Sequence, residues 1–177
     1  MNDLPTTLAA LNRQDADGFA DALSGVFEHA PWVVAGVAGL RPFRSADDLH
    51  RALMGVLHAL PEAALVDFLN LHPELAGSAA RAGTMTDASR DEQGGLALGA
   101  LPPQQAAHWD RMNAAYRERF GFPFILCIRR HSLASAMAAF EQRLERDRAD
   151  ELAAALDEIH AISSIRLGRR LGEPLRY

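Results

Sequence analysis

The residues best suited to chemistry begin at His72-Pro73-Glu74-Leu75-Ala76-Gly77. A histidine can give or take a proton near neutral pH. Proline after it removes a backbone donor and confines His72 to extended conformations, so the imidazole has a set direction. The bland reading is that His72 only closes the helix before it. A second group is Ser89-Arg90-Asp91-Glu92-Gln93. Its spacing is that of a capping box, Ser89 at the N-cap and Glu92 at N3. Alternatively, the carboxylate and carboxamide project from a helix start toward a ligand, where exposed N–H groups favour an anion. A third is Phe120-Gly121-Phe122-Pro123-Phe124-Ile125. It reads either as a packed aromatic turn or as irregular backbone offering amides to a small polar ligand. The fourth is Arg166. At roughly 100° per residue it falls within about 20° of Ile159 around a helix whose apolar stripe includes Leu152, Ala155 and Ile162. An arginine on such a stripe must snorkel or meet a buried anion. That anion is a substrate carboxylate in one reading and a structural glutamate in the other. Arg170 lies on the same side, and helical geometry alone does not choose between the two.

The elements that must position these groups are helical. Asp15 to Ala30 reads as a first helix with Phe19, Ala22, Leu23, Val26 and Phe27 on one face, stopped by Pro31. Trp32 to Gly39 reads as a short apolar helix, and Arg41-Pro42-Phe43 as a turn. Ser45 caps a helix through Leu60. Pro61 opens another, carrying Leu65, Phe68 and Leu69, which ends at His72-Pro73. Glu74 to Ala88 is richer in Gly, Ser and Thr and reads as surface loop. Ser89 opens a helical turn. A long helix follows Pro102-Pro103, from about Gln104 to Phe120. Phe124 to Ile128 is the one strand candidate. Ser132 caps a helix to about Arg146, and a final helix runs from about Ala149 to Leu171. The expected fold is all-α, a single-domain, bundle-like arrangement over residues 1–177, without repeats or an interdomain linker.

Composition narrows the chemistry. The 177 residues are 49% hydrophobic and 23% charged, the profile of a globular chain long enough for a sizeable core. A formal net charge of −5 without a basic patch argues against nucleic acid as partner. Every basic residue apart from histidine is arginine. Without a lysine, neither a Schiff-base mechanism nor a lysine-tethered pyridoxal is available. A lone cysteine, Cys127, excludes an internal disulfide and disfavours a thiolate zinc site. No His/Asp pair has ligand spacing beside a third ligand, which disfavours a metal hydrolase. No apolar run approaches the ~18 residues of a membrane span, and the start lacks a signal pattern. The expectation is a cytoplasmic enzyme or binding domain, with no metal and no membrane partner.

Several motifs in order carry more than any one alone. Pro31-Trp32-Val33, Arg41-Pro42-Phe43, His72-Pro73-Glu74-Leu75-Ala76-Gly77, Ser89-x-x-Glu92-Gln93 and Phe120-Gly121-Phe122-Pro123-Phe124 together resemble the 2-oxo-4-hydroxy-4-carboxy-5-ureidoimidazoline (OHCU) decarboxylases. Glu158-Ile159 and Ile165-Arg166-Leu167 resemble that family's last helix. The resemblance implies an all-helical homodimer without metal or organic cofactor, acting on a small molecule, OHCU, in urate degradation. It implies that His72 is the catalytic proton donor with Glu92 beside it. It implies substrate contacts at Pro73, at Ser89, Arg90, Asp91, Glu92 and Gln93, at Phe124, Ile125, Leu126, Cys127 and Ile128, and at Arg166 in preference to Arg170. The competing reading is a helical ligand-binding or interaction module of the same fold that lacks catalysis.

Overall fold

The computed structural model describes residues 6–77, 82, 84, 86, 96 and 98–175. Among them every regular element is helical. The chain divides into two compact units, one of residues 1–65 and 160–177, the other of residues 66–159.

The first unit begins with α1 (Leu8–Arg13), whose first turn is closed by the Thr7 hydroxyl accepting from the Ala10 amide. The α2 helix (Ala16–Ala22) is capped by Asp15, which accepts from Gly18 N–H at 2.8 Å. The expected single helix from Asp15 to Ala30 therefore ends early. Gly25 has φ +87° and His29 φ +57°, left-handed values that no helix interior accommodates. Leu23, Val26 and Phe27 are nevertheless buried, so the apolar face outlasts the helix. Pro31 does not stop a helix but starts one, α3 (Pro31–Ala35), at the position where its missing N–H costs nothing.

A 3₁₀ turn (Ala38–Leu40) leads to Arg41-Pro42-Phe43, where the Arg41–Pro42 bond is cis. This motif is structural. The Arg41 guanidinium donates to the carbonyls of Ala38 and Gln14 and lies 4.8 Å from the centroid of the Phe19 ring. Phe43 exchanges two 2.9 Å hydrogen bonds with the Asn12 carboxamide and stacks on Phe19. The α4 helix (Ala46–His58) is capped by Ser45, as expected, with the hydroxyl accepting from Asp48 N–H. Leu49, Leu53, Met54 and Leu57 form its buried stripe.

The chain enters the second unit within α5 (Glu62–Leu69). A 3₁₀ turn (Leu98–Ala100) precedes α6 (Pro103–Phe120), which ends on Gly121 at φ +79°. The α7 helix (Leu133–Leu144) opens with a reciprocal Ser132/Ser135 capping box. The last helix, α8 (Arg148–Leu171), starts in the second unit and returns the chain to the first after Ile159. Tyr116, Phe120, Phe122, Phe124 and Phe140 are almost wholly buried in this unit. Phe124 and Phe140 stack with centroids 3.9 Å apart, and the Tyr116 ring meets both.

Phe124–Ile128 is not a strand. Pro123 to Cys127 runs without helix, turn or bridge into a 3₁₀ turn (Ile128–Arg130). Its apolar character reflects burial, and side chains partner the Ile125 carbonyl and the Cys127 amide. No single helix among the described residues is long and apolar enough to cross a membrane.

Candidate functional site

His72 lies just past the end of α5. Its N–H closes the last turn on the Leu69 carbonyl at 3.2 Å, and its ring stands edge-on to Phe68 with centroids 5.2 Å apart. The backbone contact is the capping role anticipated for this residue, but it does not use the imidazole. The loop that follows is tied to α6. Glu74 accepts from Arg117 Nε at 2.9 Å, and the same guanidinium donates to Asn70 Oδ1. Asn70 in turn donates to the Gly121 carbonyl. Deeper in, the Asn113 carboxamide donates to the Leu75 carbonyl at 2.9 Å.

The loop backbone is also constrained. Ala76 has φ +53°, a conformation that costs an alanine roughly 1–2 kcal/mol and persists only where the surroundings impose it. A Cβ on Gly77 would meet the Glu74 Cβ at 2.8 Å, so only glycine fits. Leu75 and Ala76 are buried, which corrects the expectation of a surface loop at this point. Pro73 and His72 themselves are half-buried. The imidazole is thus carried by a helix end and by a loop pinned on its far side.

The Phe124–Ile128 segment belongs to the same unit. Its residues, backbone included, are between 1% and 6% exposed. Some of that backbone is already engaged. Arg143 Nη1 donates to the Ile125 carbonyl at 2.8 Å, and the Cys127 N–H donates to Glu158 Oε2 at 2.7 Å. Sequence reasoning did not single out Arg143. The signal was present, since Ala136, Phe140 and Arg143 recur at helical spacing on the buried stripe of α7, the pattern that marked Arg166.

Arg166 belongs to the first unit and is 8% exposed. Its Nη2 lies 3.3 Å from Glu28 Oε2, and Nη1 donates to the Gly25 carbonyl at 3.4 Å. The structural glutamate weighed for this position therefore exists. Glu28, itself 5% exposed, was legible only as one acid inside the apolar run Val26–Ala30. Arg170 is half-buried and donates to the Ser24 carbonyl, so burial separates the two arginines where spacing did not. Ser89, Arg90, Asp91, Glu92 and Gln93 lie outside the described residues.

Comparison with known proteins gives a consistent result. The profile of the OHCU decarboxylase family matches residues 12–168. The chain is 37% identical over 164 residues to the OHCU decarboxylase of Haloferax volcanii, covering 93% of this chain and 95% of that protein. It is 34% identical over 165 residues to the mouse OHCU decarboxylase, covering 93% of each. A solved structure of (S)-allantoin synthase superposes with a TM-score of 0.74 at 22% identity over 94% of this chain, which shows a shared fold. This chain spans about half of that protein, 54% of its length.

Proposed function

Because this chain belongs to the OHCU decarboxylase family, we propose that it converts 2-oxo-4-hydroxy-4-carboxy-5-ureidoimidazoline to (S)-allantoin and CO2, a step of urate degradation. The observation that carries this reading is the family match along residues 12–168, which runs through both units and includes the His72 loop. Residues 1–177 act in this reading as one catalytic domain, in the cytoplasm, and as a homodimer. Sedimentation analysis of the purified protein tests the last point.

The substrate supplies its own electron sink. The carbon that loses CO2 bears a hydroxyl and adjoins a ring C=N. Breaking the C–CO2 bond sends its electron pair into that C=N and leaves a planar ene-diamine. The ring nitrogen that received the pair takes up one proton and the ureido-bearing carbon a second, while the hydroxyl gives one up, so allantoin forms with net uptake of one proton. The reaction as written needs no organic cofactor and no metal.

The protein's tasks are to orient the carboxylate, polarise the developing anion and deliver that proton to one face. Arg166 grips an anionic or carbonyl oxygen of the substrate. Glu92 and Gln93, with Ser89, Arg90 and Asp91, hold the hydroxyl and ureido groups. Pro73 and the backbone of Phe124–Ile128 border the ring. His72 manages the proton, with a contribution of roughly 10²–10⁴-fold. The pinned loop that carries His72 supports this role, because a proton donor must be held in direction as well as place.

The test is to add the protein to freshly generated OHCU and resolve the allantoin by chiral chromatography at early times. Water protonates both faces of the free intermediate equally and gives racemate. The expected product is the S enantiomer, carrying one deuterium at the ureido-bearing carbon when the reaction is run in D2O. Accelerated formation of racemic product would remove the role of His72. No acceleration would leave a non-catalytic binding module.

A further inference from the structure

Buried backbone without a helix or a sheet must find other partners for its N–H and C=O groups. Phe124–Ile128 finds them on α7 and α8. Ile125 offers its carbonyl to Arg143, and Cys127 offers its amide to Glu158. Two side chains, from α7 and α8, therefore hold the segment at positions two residues apart, on either side of Leu126.

Arg143 is anchored independently. Its Nε donates to Glu151 Oε1 at 2.8 Å, and its guanidinium lies 4.7 Å from the centroid of the Phe124 ring. Glu151 is fully buried and also accepts from the Tyr116 hydroxyl. Arg143 thus has a buried carboxylate of its own. Glu158 approaches Arg143 only to 4.0 Å and its side chain is 21% exposed. Neutralising Arg143 does not account for a second, partly solvated carboxylate here. The short contact Glu158 makes is with the Cys127 amide.

We propose that Glu158 is a positioning residue for the decarboxylation: by holding the Cys127 amide it fixes the Phe124–Ile128 backbone in the arrangement that meets the substrate. This rests on the reading of that segment as a substrate contact. What matters in the side chain is reach and an acceptor oxygen, not charge. Glu158→Asp keeps the charge but draws the oxygen back by one methylene. Glu158→Gln keeps the reach and an acceptor but loses the charge.

The experiment measures kcat, KM and thermal midpoint for both variants with freshly generated OHCU, beside wild type and His72→Ala. Glu158→Asp is expected to lower kcat/KM at least tenfold, because a displacement of about 1 Å at a positioning contact costs up to a hundredfold. Glu158→Gln is expected to stay within about threefold of wild type, on the same scale. Glu158→Ala replaces the aspartate variant if that one does not fold. Wild-type kcat/KM in a folded Glu158→Asp protein, or equal losses in both variants, would overturn the proposal. A wild type that does not accelerate the reaction would instead overturn the decarboxylase reading on which it stands.

Discussion

His50 gives the structure a titratable weak point away from the proposed chemistry. It sits on the buried side of α4, 4% exposed, with Nε2 2.8 Å from the Ser163 hydroxyl. The His160 ring lies 4.6 Å from its own, and Asp47, Arg51 and His58 share the adjoining cleft. Burial first, and then the neighbouring His160, lower its pKa from 6.5 to about 4, with Asp47 opposing. The folded protein therefore keeps His50 neutral at pH values where the unfolded chain protonates it. Stability is unaffected by this group above about pH 6.5, declines as pH falls toward 4, and changes no further below that. At about 1.4 kcal/mol for each pH unit, the loss across this window is about 3 kcal/mol. Urea unfolding of wild type and His50→Gln at pH 7 and pH 4 measures it, since glutamine does not titrate. Wild type should lose about 3 kcal/mol more than the variant, a relative shift of the midpoint by roughly 1–3 M. Parallel losses in the two proteins would refute a buried neutral histidine at this position.

Three further outcomes are expected. Glu151→Ala leaves the Arg143 guanidinium buried without its carboxylate and should cost about 3–5 kcal/mol, whereas Tyr116→Phe removes one hydrogen bond to a charged group and should cost about 1.5–3. Chemical denaturation ranks the two, and a costlier Tyr116→Phe would contradict the pairing. Glu28→Ala removes the carboxylate beside the buried Arg166 and should cost about 3–5 kcal/mol; a change under about 1 kcal/mol would mean that this ion pair does not hold the arginine. His72→Ala should cut the rate of allantoin formation at least about a hundredfold while leaving the helical circular dichroism intact, and an unchanged rate would end its assignment as proton donor.

The elements most legible in the sequence were those specified by local chemistry. Ser45 and Ser132 lie just before apolar-periodic segments, and each caps the helix expected of it. Pro102-Pro103 and Gly121 bound α6 as their backbone preferences require. Misreadings arose where local and tertiary signals diverge. The run from Asp15 to Phe27 keeps a helical spacing of apolar residues, yet Gly25 and His29 take left-handed conformations and break it. Phe124–Ile128 looks like a strand because a fully buried irregular segment and a central strand select the same side chains. Only the three-dimensional arrangement shows that its partners are side chains rather than another strand, Arg143 of α7 donating to the Ile125 carbonyl and Glu158 of α8 accepting from the Cys127 amide.

The same distinction governs the charged residues. A helical stripe marks which arginine is buried but carries no trace of its partner, because the partner lies elsewhere in the chain. Arg166 pairs with Glu28, 138 positions away, inside an apolar run whose period pointed to other residues. Arg143 pairs with Glu151, only eight positions on, but across the break between α7 and α8 where helical spacing no longer applies. A buried arginine is thus visible from periodicity, while the identity of its anion is not. This matters for function, since a guanidinium already facing a carboxylate exchanges or shares it when an anionic substrate arrives. If Arg166 grips the substrate as proposed, Glu28 competes for the same guanidinium and sets how strongly the substrate binds. The Glu28 variant consequently reports on more than stability: any surviving folded fraction should show an altered KM for OHCU if Arg166 grips the substrate, and an unaltered KM if the pair is structural alone.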